Sequence, residues 1–367
     1  MSHALIAAII FIAAVAASAT LVPQIVRLSH RLGLLKQPRA RDEHAEPIPA
    51  IGGLAIYLAF LVGIVLSFWL PVVRFPVEVE RILLLTIGAA FVVFVMLYDD
   101  LMDLPPLPKF AWQIGAALVV IVPRFRGPSH GLVIQQFTNP FGGTIHLPLI
   151  VAMLFTLFWI LGMMNTLNWQ DGQDGLVGSI TFIACAVLFY HTYFRPEKDP
   201  QFTISLLAIA LGGAVLGFMP FNWHPAKIIM GDTGAMFLGF ALAVISIIGG
   251  AKIATALLTL WVPILDIGWV IVYRVLNRQA PWHADRGHLH QRLRDLGWSH
   301  QQIVLLYAVI TALFGLASLA LTPEAKLVGL VAAGIVGIIL LSLLARYSGK
   351  HPQAGVREAA GAGRRGH

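Results

Sequence analysis

Cysteine is almost missing from this chain: Cys185 is the only one in 367 residues. A lone cysteine excludes a disulfide framework and every zinc pattern built on paired thiolates. Its place inside an apolar run suits a small core residue. Charge is scarce as well. Asp, Glu, Lys and Arg make up 12% of the residues against 58% hydrophobic ones, and mean hydropathy is +0.80. That balance excludes the two or three soluble domains that length alone would suggest. No Lys or Arg precedes the first apolar run, and the positive charges follow it. The stretch AVAASAT resembles a small-residue cleavage site, yet this charge order favours an uncleaved helix with its N-terminus outside. No internal repeat suggests the inverted halves of a transporter.

What the chain does have is long apolar runs, eleven of them, at roughly 4–22, 52–70, 82–98, 110–122, 148–164, 176–194, 203–219, 236–250, 253–273, 303–321 and 327–345. Backbone groups in lipid must be bonded within the structure, so each run predicts a helix. The expected fold is all-α: a polytopic integral membrane protein of about 11 transmembrane helices over residues 1–345. Residues 346–367, rich in Gly, Ala and Arg, predict a basic, disordered tail. With the N-terminus outside and the C-terminus cytoplasmic, 17 of the 25 Lys and Arg residues fall on inner segments. The net charge of +7 then reflects topology and attraction to anionic lipid, and nucleic-acid binding is not expected.

Against this apolar background the aspartates are concentrated at the ends of runs. Asp99, Asp100 and Asp103 lie in YDDLMDLPPLPKF, Asp171 and Asp174 in NTLNWQDGQDGL, and Asp232 in MGDTGAMFLG. The chosen orientation puts all three groups on the cytoplasmic side. Carboxylates at one level repel unless a cation joins them, and oxygen-rich sites suit a hard ion such as Mg²⁺, with Mn²⁺ as the alternative. On a helical end Asp103 shares a face with Asp99 (i,i+4) or Asp100 (i,i+3), and Lys109 supplies a point charge suited to phosphate. Asn165 and Asn168 repeat at the same three-residue step as Asp171 and Asp174. Gly172 and Gly175 leave room for backbone or ligand beside each Asp. The competing structural reading is a pair of Asx-Gly turns. Asp232 stands just before an apolar run, where a helix N-terminus favours an anion or a capping carboxylate.

The largest inner loop carries PWHADRGHLHQRL, with His283, His288 and His290 beside Arg286 and Arg292. His288 and His290 are two residues apart, unlike the i,i+4 pair of a helical zinc site. Arg forks and imidazole donors fit phosphate or sugar recognition better.

In their order and spacing these stretches, with PILD around Asp266 between the last two, resemble the polyprenyl-phosphate N-acetylhexosamine-1-phosphate transferases of glycosyltransferase family 4. The resemblance runs from about residue 21 to 321 and includes an early loop with Pro38, Arg41, His44, Pro47, Pro49 and Gly52-Gly53. It lies nearest the undecaprenyl-phosphate N-acetylglucosaminyl-1-phosphate transferase branch. The resemblance implies a Mg²⁺-dependent transfer of sugar 1-phosphate from a UDP-N-acetylhexosamine to a polyprenyl phosphate, releasing UMP, at the cytoplasmic face of the inner membrane. It implies metal ligation by Asp232 with Asn168 and Asp171, and catalytic roles for Asp99, Asp100 and Lys109 near the lipid phosphate. Asp174, Asn165, His288, His290, Arg292 and His44 would contact substrate. A homodimer is compatible with it. Direct attack and an aspartyl-phosphate route both stay open.

Some positions depart from the family pattern. Gln291 stands where relatives often have His, Asp42 and Ala50 where they are often basic, and Gln170 and Gln173 replace usually apolar neighbours of the Asp pair. None of these removes a proposed ligand. The nearest rival is a phospho-N-acetylmuramoyl-pentapeptide transferase, and the rival from another class is a polytopic transporter.

Overall fold

The computed structural model describes residues 1–37, 46–139, 142–194, 202–249, 253–276, 278 and 287–348. Its helices are α1 (His3–Leu32), α2 (Gly52–Trp69), α3 (Pro76–Met102), α4 (Pro106–Ile121), α5 (Leu149–Gln170), α6 (Leu176–Tyr193), α7 (Phe202–Asn222), α8 (Gly231–Ile248), α9 (Ile253–Thr259), α10 (Trp261–Leu276), α11 (Leu289–Asp295), α12 (His300–Ala320) and α13 (Pro323–Ser348). Among the described residues, ten of these are long and apolar enough to cross a membrane. The pair α9 and α10, bent by 79°, brings the number to eleven when it is counted as one broken span. Ten of the eleven apolar runs therefore correspond to single long helices, and the run at 253–273 to this bent pair. The helices outlast the runs at the ends that carry aspartates: α3 continues through Asp99 and Asp100, and α8 starts at Gly231. His44, His283, Arg286 and residues 349–367 of the tail lie outside the described residues.

Helix α8 is the centre of the bundle. Of its 18 residues 94% are buried, against 11% for the most apolar stretch of Pro323–Leu343 in α13. Helices α2, α3 and α5 pack around α8. Small residues permit this approach: a Cβ on Gly53 would lie 2.1 Å from the backbone nitrogen of Gly234. The chain before α2 is also stitched to the chain before α8. Ile229 N–H donates to Pro49 O (3.0 Å), Gly52 N–H to Ile229 O (3.1 Å) and Gly53 N–H to Met230 O (2.9 Å). Two small antiparallel hairpins complete the fold. β1 (Leu35–Lys36) pairs with β2 (Ile48–Pro49), and β3 (Gln136–Thr138) pairs with β4 (Thr144–His146) between α4 and α5.

Candidate active site

Helix α3 ends in a tight reversal. Asp103 takes the left-handed conformation at φ 55° and its N–H donates to Asp99 O, a geometry that non-glycine residues adopt mostly when Asp or Asn. Asp99 Oδ1 accepts Leu104 N–H at 3.0 Å, securing the turn. Pro106 then opens α4 at a position where its missing N–H costs nothing. The reversal brings Lys109 back over the end of α3. Its ammonium pairs with Asp99 Oδ2 at 2.7 Å and with Asp232 Oδ2 of α8. One carboxylate oxygen from each of Asp99, Asp100 and Asp232 lies within 4.8 Å of the others.

The three carboxylates do different things. Asp100 Oδ1 accepts Asp232 N–H (2.9 Å), and Oδ2 accepts Thr233 N–H (3.0 Å) and the Thr233 hydroxyl (2.6 Å). A side chain of α3 thus caps the N-terminus of α8, satisfying two of its orphan amides and complementing its dipole. Gly231 makes room for it: at φ +68°, a Cβ there would stand 2.6 Å from Asp100 Oδ2. Asp99 is buried at 6% side-chain exposure, while Asp232 is 28% exposed and the most accessible carboxylate whose oxygens meet Lys109.

Asp171 follows α5 directly, at its C-cap, while Asn168 occupies the last turn of that helix, partly exposed. Asp171 keeps partial exposure, yet surrounding protein pushes its carboxyl well above the ordinary range. Desolvation is the main cause; Lys36 opposes it, and the charges of Asp100 and Asp174 reinforce it. Two further expected site residues, Asn165 and Asp174, are bonded to other parts of the protein. Asn165 Nδ2 donates to Gln113 Oε1 (2.7 Å) and Leu161 O (2.8 Å), tying α5 to α4 one turn below Lys109. Asp174 Oδ2 bonds His224 Nδ1 (2.9 Å) and accepts Ala226 N–H (3.1 Å). His224 in turn stacks on His300, with ring centroids 3.9 Å apart. Asp174 therefore fastens the turn between α5 and α6 to the chain between α7 and α8, which His224 joins to the start of α12.

His288 and His290 stack at 5.7 Å. His290 is 1% exposed with neither ring nitrogen hydrogen-bonded. Burial lowers its pKa to about 4, so it is neutral at physiological pH. Arg292 Nε donates to Gly287 O at 2.8 Å. Sequence reasoning left out Gln113, Thr233, Lys36 and the pair His224–His300. Gln113 had a signal, as a lone amide one turn beyond Lys109 in an apolar run; the others had none, because their partners are remote in sequence.

The donor set fits a divalent cation. Three carboxylates and one ammonium carry a formal charge of −2, and carboxylate oxygens are the ligands that Mg²⁺ prefers.

Comparison with known proteins agrees with this architecture. The sequence profile described as glycosyl transferase family 4 matches residues 82–250, a stretch containing Asp99, Asp100, Asp103, Asp171, Asp174 and Asp232. Over 336 residues the chain is 30% identical to the probable undecaprenyl-phosphate N-acetylglucosaminyl 1-phosphate transferase of Bacillus subtilis, covering 90% of this chain and 88% of the relative. It is 33% identical over 303 residues to the decaprenyl-phosphate N-acetylglucosaminephosphotransferase of Mycobacterium leprae (76% and 74% covered). A phospho-N-acetylmuramoyl-pentapeptide-transferase of Halalkalibacterium halodurans is 30% identical over 329 residues (83% and 93% covered). With a relative this similar along nearly its whole length, the chain belongs to glycosyl transferase family 4.

Proposed function

We propose that this chain transfers N-acetylglucosamine 1-phosphate from UDP-N-acetylglucosamine to undecaprenyl phosphate at the cytoplasmic face of the inner membrane. A phosphate oxygen of the lipid forms a bond to the β-phosphorus of the nucleotide sugar. The bond from that phosphorus to the bridging oxygen breaks, and UMP leaves with that oxygen. The products are polyprenyl-diphospho-sugar and UMP. The observation that carries this reading is the meeting of Asp99, Asp100, Asp232 and Lys109 at one end of three spanning helices. Phosphoryl transfer needs charge neutralisation and alignment more than a strong nucleophile. A lipid acceptor and a soluble donor can meet only at the interface, which is where helix ends lie.

In this reading Asp232, at the exposed side of the Asp99–Asp100–Asp232 cluster, would hold Mg²⁺ (or Mn²⁺), with Asn168 and Asp171 of the α5 end completing its ligands, and the bound ion would neutralise the diphosphate. Asp99 and Lys109 organise the lipid phosphate. Asp100 acts by fixing the α8 N-terminus beneath Asp232. His288 and Arg292 would contact the nucleotide sugar, with the buried His290 stacked behind His288, while Asp174 and Asn165 brace the walls. The names of the two N-acetylglucosamine relatives support the donor, and the pentapeptide relative supplies the alternative.

Purified protein supplied with undecaprenyl phosphate and Mg²⁺ should release UMP from UDP-N-acetylglucosamine. Release only from the UDP-muramoyl-pentapeptide donor would assign it to the other branch. Release from neither would refute the transferase reading.

A further inference from the structure

Asp266 lies on α10 just past the bend from α9, and it is 0% exposed. Its carboxylate is nonetheless well served. Oδ1 accepts Leu289 N–H at 2.8 Å. Oδ2 accepts Gln170 Nε2–H at 2.9 Å and meets His288 Nδ1 at 3.2 Å. One buried carboxylate thus joins the end of α5, the broken span and the start of α11. A charged group inside a membrane protein is costly unless paired, so a buried carboxylate with three donors around it is a candidate for function.

A carboxylate can only accept, so His288 must present Nδ1–H to it, which leaves Nε2 as the acceptor of the neutral ring. The ring plane is held independently. Trp169 meets it edge-on at 5.9 Å and 69°, and His290 lies parallel at 5.7 Å and 10°. Those contacts fix the tilt of the ring, but neither selects which nitrogen carries the proton. Asp266 does. Gln170, one of the departures from the family pattern, donates to the same oxygen.

We propose that Asp266 is a positioning residue that acts through His288, holding it in the Nδ1–H tautomer and anchoring α11, with Gln170 as its buttress. The kinetic side of this proposal rests on the transferase reading; the tautomer side does not. Replacing Asp266 by Asn gives a defined expectation. Leu289 N–H is a fixed donor and requires the remaining oxygen, so the new amide nitrogen turns toward His288 and Gln170. Gln170 can answer by flipping its amide. His288 can answer only by moving its proton to Nε2.

The test combines ¹⁵N-histidine NMR with kinetics on the full chain, with His288 assigned by difference against His288→Gln. The expected wild-type signal is Nδ1–H, converting to Nε2–H in Asp266→Asn. The expected kcat of Asp266→Asn falls about 10- to 100-fold, the scale seen when a histidine at a metal site loses its carboxylate partner, with KM for polyprenyl phosphate unchanged. Adding His288→Gln to Asp266→Asn should cost little more, since both changes remove one unit. An Nε2–H tautomer in the wild type overturns the proposal, and that spectrum needs no Asp266 variant to fold. Multiplicative losses in the double variant also overturn it. Absence of UMP release by the wild type would instead refute the transferase reading and leave the tautomer result standing.

Discussion

At the scale of the residue, two aspartates that meet at the start of α8, Asp100 and Asp232, are unequally employed. Asp100 spends its oxygens on the backbone of α8 and on Thr233, while Asp232 presents its carboxylate to Lys109 with partial access to solvent. Asp100→Ala should therefore lower stability by about 1–2 kcal/mol through loss of a helix cap as well as lowering activity, which thermal melting of the purified protein will register. Asp232→Asn should lower activity alone.

His290 supplies a pH dependence. Its pKa is lowered to about 4 from an ordinary value near 6.5 by burial. A group with a depressed folded pKa contributes stability that is present above the unfolded value and is lost as pH falls toward the folded one. Melting should therefore weaken between pH 6.5 and 4, by at most about 3 kcal/mol from this residue, and His290→Gln should flatten that slope. An identical slope in the variant would assign the loss to other groups.

At the scale of the element, the spans were legible because hydropathy is a local property. Each of the eleven runs became a helix or, in α9 and α10, a bent pair. The motif positions were legible for the same reason. What each motif residue touches was not. The sequence places Asp232 where a cap is expected, but the capping carboxylate comes from Asp100 on α3, 132 positions earlier. Asn165 and Asp174 look like members of a ligand set, yet both are bonded to neighbouring elements. Gln170 and Gln173 look like neutral departures and prove to be donors to Asp266 and to His300 O. Such contacts depend on which helices meet, and no periodicity within one helix encodes that.

Gly53 is the element-scale test. With Gly234 N only 2.1 Å from where its Cβ would stand, Gly53→Ala must separate α2 from α8. Overpacking of this kind costs about 1–3 kcal/mol, measurable as a drop in melting temperature. An unchanged melt would mean that the two helices can slide apart freely.

At the scale of the whole molecule, the proposed orientation puts the carboxylate cluster on the cytoplasmic side with both the nucleotide and the lipid phosphate within reach. Cys185 is buried, so a Cys185→Ser background permits single-cysteine mapping. Val73→Cys, at a site 93% exposed, should react with an impermeant maleimide from outside the cell. Leu107→Cys, at a site 76% exposed beside Lys109, should react only after the membrane is opened. The reverse pattern would invert the topology.

The central claim is that a carboxylate and lysine cluster at the ends of α3, α4 and α8 performs the transfer. Its most direct test is UMP release from UDP-N-acetylglucosamine by purified wild type and Asp232→Asn at saturating Mg²⁺. The account predicts a loss on the order of 10²- to 10³-fold, the scale of removing one electrostatic stabiliser, with the melting temperature unchanged. Near-normal turnover by Asp232→Asn would contradict it.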